Sequence, residues 1–374
     1  MGMVSFINRE NLRVARENIG LNTTLASKKV LNSKKDSIAK WESGESLPTW
    51  LQVSKMAKVY NVPEALFFSD EKIRKSKTIP DYRVGSSEKN DEKIKALINL
   101  VVTRQKWLER ELKDAGWTPN RLMGSGTHLK SPKDLAGLIT EKLDIDLAEI
   151  KKISSRKDTL NYLIQRAENC GIFVGKTVSY HRLKVEDLRG LFISNNYCPF
   201  IVLNRRDTFS AQIFSFIHEL AHFFRKSDSI SNSLEFRNIN KNINPEEVFC
   251  NRVVIELLLP EKRFEKKFYT KNDIDFVSML YKVSSLSVFY RLKDLGMIKQ
   301  DIESSLERDI KREIDENLNR KAEEDANKEG GNYIYAMKDS NGDLFNNIVS
   351  SSYLENKIGY VEATNLLRFS PEVI

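Results

Sequence analysis

Apolar positions near the start of the chain recur every three to four residues, which is the period of an amphipathic helix. Five such stretches are short and follow one another through tight turns. They predict helices over residues 8–18, 23–30, 34–42, 48–60 and 63–68. The same period predicts further helices over residues 92–114, 132–143 and 156–169.

The pattern changes to alternation after Gly171, where β-branched and aromatic residues become frequent. The segments 172–174, 190–193 and 200–204 are predicted strands of a small sheet. An apolar stretch over residues 209–224 follows directly and predicts a buried helix. A later helix is predicted between Pro245 and Pro260.

The predicted helix at 209–224 carries two of the four histidines in the protein. His218 and His222 are four residues apart and therefore project from one face, with Glu219 one step away. Two imidazoles one turn apart can bind a single zinc ion, and the adjacent carboxylate can take a proton from a zinc-bound water. The alternative is a helix that carries both histidines on a solvated or hydrogen-bonded face.

The helix that begins at Pro245 offers the third protein ligand that a catalytic zinc site requires. Glu247 lies at the edge of an apolar face, where a carboxylate without a partner would be costly and metal coordination would satisfy it. Glu246 points to another side and suits the first turn of a helix as an acidic residue. His181, between the first two strands, is a candidate oxyanion or substrate contact, or else a solvated loop histidine.

The amino-acid composition indicates the broad class of the protein and its net charge. The 374 residues are 40% hydrophobic and 30% charged, which is ordinary for a soluble protein. No apolar run reaches the roughly 18 residues of a membrane span, so we predict a cytoplasmic protein without a membrane partner. Cys170, Cys198 and Cys250 are far apart, which argues against disulfides and against a cysteine zinc site. The net charge of +8 suits a polyanionic partner.

Residues 37–49 read Ser-Ile-Ala-Lys-Trp-Glu-Ser-Gly-Glu-Ser-Leu-Pro-Thr and resemble the repressor-type XRE (Cro/C1-like) family of helix-turn-helix proteins. The third helix of that family enters the major groove of DNA. The resemblance implies that the DNA-facing residues are Ser33, Lys34, Lys35, Ser37 and Lys40. The family's second helix usually opens with Gln, which residues 20–26 lack. The alternative of a protein-docking module therefore stays open.

A second resemblance rests on residues 216–222, Phe-Ile-His-Glu-Leu-Ala-His, and on the Glu-x-x-Cys-Asn-Arg and Leu-Leu-Leu-Pro stretches that begin at Glu247 and Leu257. Together they are similar to the ImmA/IrrE family of zinc metallopeptidases (M78-like). The resemblance implies that His218, His222 and Glu247 bind Zn²⁺ and that Glu219 is the general base. Members of that family clip XRE-type repressors.

The end of the chain changes character twice. Residues 301–329 are dense in both charges and predict a solvated helical spacer. Residues 332–337 and 344–349 predict two strands joined by a hairpin turn at Asn341-Gly342, and a helix is predicted over 361–367. These last segments would form a small α+β module.

The predicted fold is therefore multidomain and mainly α with α+β parts. A five-helix helix-turn-helix domain at 1–70 precedes a linker and helical region at 71–130. A zincin-like α+β metallopeptidase domain follows at 131–300, then the charged spacer at 301–330 and the small module at 331–374.

The predicted function is zinc-dependent cleavage of a regulatory protein, such as an XRE-type repressor, in mobile-element or stress regulation. Partners would be that protein substrate and DNA, with a homodimer as a further expectation for the DNA-binding domain. The alternative is a DNA-binding transcriptional regulator whose peptidase domain is a sensor or partner-binding module with little turnover.

Overall fold

The computed structural model describes residues 2–19, 21–33, 35–60, 62–70, 72, 88–178, 183–227, 229–231, 244–326 and 333–373. The α-helices in these ranges are α1 (Arg9–Asn18), α2 (Thr23–Leu31), α3 (Ser37–Ser43), α4 (Trp50–Tyr60), α5 (Glu88–Asp114), α6 (Pro132–Lys142), α7 (Leu147–Lys152), α8 (Arg156–Glu168), α9 (Phe209–Arg225), α10 (Pro245–Leu258), α11 (Lys271–Tyr281), α12 (Ser285–Asp294), α13 (Gln300–Ala326), α14 (Tyr333–Asn341), α15 (Asp343–Leu354) and α16 (Tyr360–Leu367). The chain divides into two compact units, the first holding α1 to α5 and the second all later elements.

The first unit confirms the helical period of the opening residues. Four of the five predicted segments are α-helices, and the fifth is a 3-10 turn at Glu64–Phe67. The third helix begins at Ser37 and not at residue 34, because the Asp36 side chain accepts a hydrogen bond from the Ala39 N–H and so caps the helix there. A buried core that includes Leu12, Ile38 and Tyr60 holds these elements together.

The second unit contains the sheet, whose strands are β1 (Phe173–Lys176), β2 (Gly190–Ile193), β3 (Phe200–Leu203) and β4 (Ser229–Ser231). The first three strands are confirmed from the sequence pattern. The strand order is β1-β3-β2-β4; β1 runs parallel to β3, and β2 is antiparallel to both β3 and β4. The residues of β1, β2 and β3 are all buried.

Helices cover this sheet and build the largest core. α9 contacts β2 and β3 and also packs against α6, α8 and α10. The first half of α13 includes Leu306 and Ile310, which are buried and belong to the same core. The first half of the charged helix is thus anchored on the second unit, with Tyr290 donating a hydrogen bond to Glu307.

The predicted strands at 332–337 and 344–349 are wrong, because residues 333–337 lie in α14 and residues 344–349 in α15. The Asn341-Gly342 step is a helix break, with Gly342 at φ 84°, and not a hairpin turn. Phe345 and Val349 are one helical turn apart and both buried. Packing on one helix face therefore outweighs the β propensity of the aromatic and branched residues. The helix predicted over 361–367 is confirmed as α16.

Helices α14 and α15 lie against β1, and α16 packs against both of them. Ser340 donates a hydrogen bond to the Lys176 carbonyl at 2.6 Å, and the Lys176 ammonium pairs with Asp339 at 2.6 Å. A Cβ on Gly342 would lie 2.1 Å from the Val174 carbonyl oxygen, so only glycine fits this contact. In the described residues, no helix is long and apolar enough to cross a membrane.

Candidate metal centre

Helix α9, which carries both histidines, is capped at both ends. Thr208 caps its start by accepting a hydrogen bond from the Ala211 N–H. Lys226 ends it in the left-handed conformation, with φ 55° and ψ 40°. Every residue from Ala211 to Phe224 is buried, so the rings of His218 and His222 stand in the interior of the unit.

Three side chains converge as the sequence predicts. The Nε2 atoms of His218 and His222 are 3.1 Å apart. Glu247 reaches both rings from α10, with Oε2 at 3.1 Å from His218 Nε2 and Oε1 at 2.9 Å from His222 Nε2. All three side chains are buried.

The donor set fits a metal ion. The ligands of a tetrahedral zinc lie roughly 3.3 Å from one another when each is about 2.0–2.1 Å from the ion. The three distances measured here are close to that value. Glu247 Oε1 is buried and makes no aligned hydrogen bond among the described residues, although His222 Nε2 is 2.9 Å away. The ligand atoms are therefore close enough together to bind a single ion.

The carboxylate and the imidazoles of the cluster shift each other's pKa values. Burial raises the pKa of the Glu247 carboxyl, but the neighbouring imidazoles of His218 and His222 outweigh it and hold that pKa at about 2. Burial lowers the pKa of His218, whereas the carboxylates of Glu247 and Glu219 raise it above its usual value. The Glu247 carboxyl is thus ionised.

Glu219 lies beside the cluster and against strand β2. It is fully buried, and a Cβ on Gly190 would come within 2.3 Å of its Oε1 atom. The backbone of Gly190 pairs with Leu203 and Ser231, so the strand cannot withdraw without breaking its ladder. The absence of a side chain at position 190 is what admits the Glu219 carboxylate.

Glu246 is an acidic residue in the first turn of α10, as the sequence predicts, and it forms an ion pair with Arg225. Arg225, the last residue of α9, donates to both of its oxygens at 2.5 Å and 3.0 Å. Arg225 also donates to the Leu129 carbonyl and lies over the Phe249 ring. This ion pair joins the end of the motif helix to the start of α10.

A second set of donors, His222, Glu246 and Cys250, also has its ligand atoms within 4.8 Å of one another. Glu246 is engaged by Arg225. Burial raises the pKa of the Cys250 thiol well above its usual value, which keeps it protonated. The set with Glu247 is therefore the better metal site. All three cysteines are free, as expected.

The candidate DNA contacts lie around α3 in the first unit. Lys35 and Lys40 are exposed, whereas Ser33 and Ser37 are half-buried. Asp36 between them accepts hydrogen bonds from Thr23 at 2.6 Å and Thr24 at 3.3 Å, which ties α3 to the start of α2. Lys34 lies outside the described residues.

His181 also lies outside the described residues, so its predicted role at the site stays a prediction. Sequence reasoning missed three residues around the histidines. Gly190 makes room for Glu219, Ser227 contacts His222, and Asn251 interacts with His218. The sequence marked Asn251 as part of the Glu-x-x-Cys-Asn-Arg stretch, one turn after Glu247, without giving it a role. Ser227 was marked only by its position five residues after His222.

Comparison with known proteins agrees with this assignment for part of the chain. No curated protein and no solved structure matches the sequence. Residues 174–293, about a third of the chain, match the sequence model of peptidase family M78, described as the IrrE N-terminal-like domain. The matched segment contains the whole His218, His222 and Glu247 cluster, and the match supports a metallopeptidase-type domain with a metal site there.

Proposed function

We propose that this protein is a zinc metalloendopeptidase that cleaves a regulatory protein inside the cell. The observation that carries the proposal is the convergence of two imidazoles and one carboxylate in a buried site, with a second carboxylate against the neighbouring strand. Two histidines and a glutamate leave one position of a tetrahedral ion open, as catalytic sites require.

Glu219 is the residue that moves the proton. A zinc ion held by the three ligands supplies Lewis acidity, which polarises a peptide carbonyl and lets water ionise near neutral pH. The Glu219 carboxylate accepts the proton of the attacking water and returns it to the leaving amide nitrogen. Its burial keeps bulk water from competing for that proton, and the strand at Gly190 fixes its position.

The test compares wild type with Glu219→Gln. Both proteins should contain one zinc per chain, because the substitution leaves the three ligands intact. Protein fragments that appear in cells expressing wild type should be absent with Glu219→Gln. Stoichiometric zinc without any fragment that depends on Glu219 would contradict the peptidase and favour a sensor or partner-binding domain in a transcriptional regulator.

The proposal includes a DNA-binding role for the first unit and a repressor of the same type as the substrate. The support is the resemblance of residues 37–49 to the XRE family, together with the exposure of Lys35 and Lys40 around α3. Lysine contacts of this kind hold the phosphate backbone and weaken with salt.

A gel-shift titration tests this role. Wild type should bind a DNA fragment from its own upstream region at low salt, and Lys35→Glu with Lys40→Glu should abolish the shift. Exposed lysines on another face, Lys55→Glu with Lys58→Glu, serve as the charge-matched control. Equal loss in both pairs would indicate general attraction to DNA, and no binding at low salt would contradict the role.

A further inference from the structure

If both histidine rings bind one ion through Nε2, each ring must carry its proton on Nδ1. A neutral imidazole has one donor nitrogen and one acceptor nitrogen. Because the Nε2 atoms of His218 and His222 both face Glu247, a metal there needs the proton of each ring on Nδ1. A partner at Nδ1 decides how firmly this tautomer is held.

Ser227 provides that partner for His222. Its hydroxyl oxygen lies 2.9 Å from His222 Nδ1. The backbone N–H of Ser227 also donates to the His222 carbonyl at 3.0 Å, since the left-handed Lys226 turns the chain back over the last turn of α9. One residue thus holds both the ring and the backbone of the ligand.

Asn251 occupies the corresponding place beside His218. It lies one helical turn after Glu247 on α10, so the same helix face presents the carboxylate ligand and the amide. Asn251 Oδ1 and His218 Nδ1 are both buried, and neither has an aligned hydrogen-bond partner among the described residues. Asn251 is one turn from Glu247 on α10, and the Glu247 carboxylate lies 3.1 Å from His218 Nε2, so these two unsatisfied atoms lie on neighbouring sides of the same buried cluster.

A donor and an acceptor buried together without other partners complete each other at little cost, whereas leaving both unpaired costs about 1–3 kcal/mol each. We propose that Ser227 and Asn251 are positioning residues that hold His222 and His218 in the Nδ1–H tautomer, with both Nε2 lone pairs directed at one zinc ion. In each contact the ring N–H donates and the side-chain oxygen accepts. This inference rests on the zinc site of the proposed function.

Zinc affinity is the first test, measured by competition with a chromophoric chelator. Ser227→Ala and Asn251→Ala should each weaken zinc binding by about 10- to 100-fold, the usual effect of removing a hydrogen-bond partner from a metal-bound histidine. Ser227→Thr and Asn251→Asp keep an accepting oxygen and should remain within a few-fold of wild type.

Two matched controls separate positioning from general loss of stability. Ser350→Ala removes a serine hydroxyl that donates to the Asn346 carbonyl in α15, away from the histidines. Arg252→Ala changes the exposed residue next to Asn251 on the same helix. Both should keep wild-type zinc affinity, and circular dichroism should show the same helix content for every variant.

The tautomers themselves are the second test. The protein has only four histidines, so ¹⁵N-histidine labelling gives a spectrum with few rings to assign. In the zinc-loaded protein, two rings should show a protonated Nδ1 and a metal-bound Nε2. Ser227→Ala should perturb the Nδ1 signal of one of these rings and Asn251→Ala that of the other.

The outcomes distinguish this inference from the proposed function. Wild-type zinc affinity in both alanine variants, or Nδ1 as the zinc-bound nitrogen, would overturn the positioning role even if the protein cleaves peptides. Weakened affinity in both variants would support it even if no cleavage is found. A wild type that binds no zinc would contradict the inference and the proposed function together.

Discussion

Each of the two units buries a carboxylate between neighbouring helices, and the partners differ. In the first unit, Arg16 on α1 donates to both oxygens of Glu42 on α3, at 2.6 Å and 2.8 Å. In the second unit, the Glu247 carboxylate faces the two imidazoles of His218 and His222. Arginine carries a permanent charge, whereas an imidazole can lose its proton and then bind a metal ion.

The contrast shows how a structural carboxylate differs from a candidate ligand. The oxygens of Glu42 are bound by a fixed cation with good geometry, so this pair is complete without any other group. The oxygens of Glu247 lie close to the Nε2 atoms of both histidines, and the three side chains together could hold one metal ion. Burial alone does not distinguish the structural carboxylate from the candidate ligand. The chemical nature and the arrangement of the neighbouring side chains do.

The sharpest test of the contrast is to neutralise each carboxylate. Glu247→Gln should weaken zinc binding by more than about 100-fold, because it removes a ligand and not merely the partner of one. Glu42→Gln should leave zinc binding unchanged. Zinc content after gel filtration and chelator competition measure both, and equal affinity in Glu247→Gln would remove Glu247 from the site.

The converse experiment removes the cation of the first unit. Arg16→Met leaves Glu42 buried without a counter-charge and should destabilise that unit by about 3 kcal/mol, roughly a factor of 100 in its folding equilibrium. Tryptophan fluorescence during urea unfolding reports it, since Trp41, Trp50 and Trp107 lie in the first unit. Zinc content should not change.

A double variant controls for packing at this pair. Adding Glu42→Leu to Arg16→Met removes the unpaired charge and should recover much of the lost stability. If the single variant is as stable as wild type, the ion pair contributes nothing measurable to the first unit.

The base can be tested apart from the ligands through Gly190. Gly190→Ala would place a methyl group 2.3 Å from Glu219 Oε1 and so displace the carboxylate. Cleavage should fall by about 10- to 100-fold, because a shift of about 1 Å in a reacting group is enough for such a loss. Zinc affinity should stay within a few-fold of wild type.

Gly137→Ala is the matched control, since nothing lies within 4 Å of the added methyl group on α6. It should retain wild-type cleavage and zinc affinity. Full activity in Gly190→Ala would show that the strand does not position Glu219.

A third buried carboxylate gives the smallest effect and concerns pH. Burial and the nearby Asp343 together raise the pKa of Glu168 to about 7, against hydrogen bonds from the backbone of Leu344 and Val174. The folded pKa thus exceeds the unfolded value. The stabilising contribution is present below pH about 4.5 and is lost as pH rises through about 7.

Glu168→Gln removes this titration. Between pH 5 and pH 8, wild type should lose about 2 kcal/mol more stability than the variant, as judged by urea unfolding at both pH values. Glu372→Gln, at an exposed position, should follow wild type. A parallel pH profile for wild type and Glu168→Gln would show that Glu168 is not titrating in this range.

The sequence determined the parts of this protein that depend on neighbours along the chain. Helical and alternating periods located α1 to α6, α8 to α10 and the first three strands, since each element buries its own face, but they did not locate the short helix α7. The His-Glu-x-x-His spacing and the acid that follows Pro245 identified all three candidate ligands, because one helical turn places i and i+4 on one side.

The tertiary structure decided what residues distant in sequence do to one another. It made residues 333–341 and 343–349 helical, and Phe345 and Val349 are buried on one face of the second of these helices. It brought Gly190 against Glu219, and Ser227 and Asn251 toward the rings of His222 and His218. Periodicity records which face of an element is buried but not what lies opposite, so these partners follow only from how the elements pack.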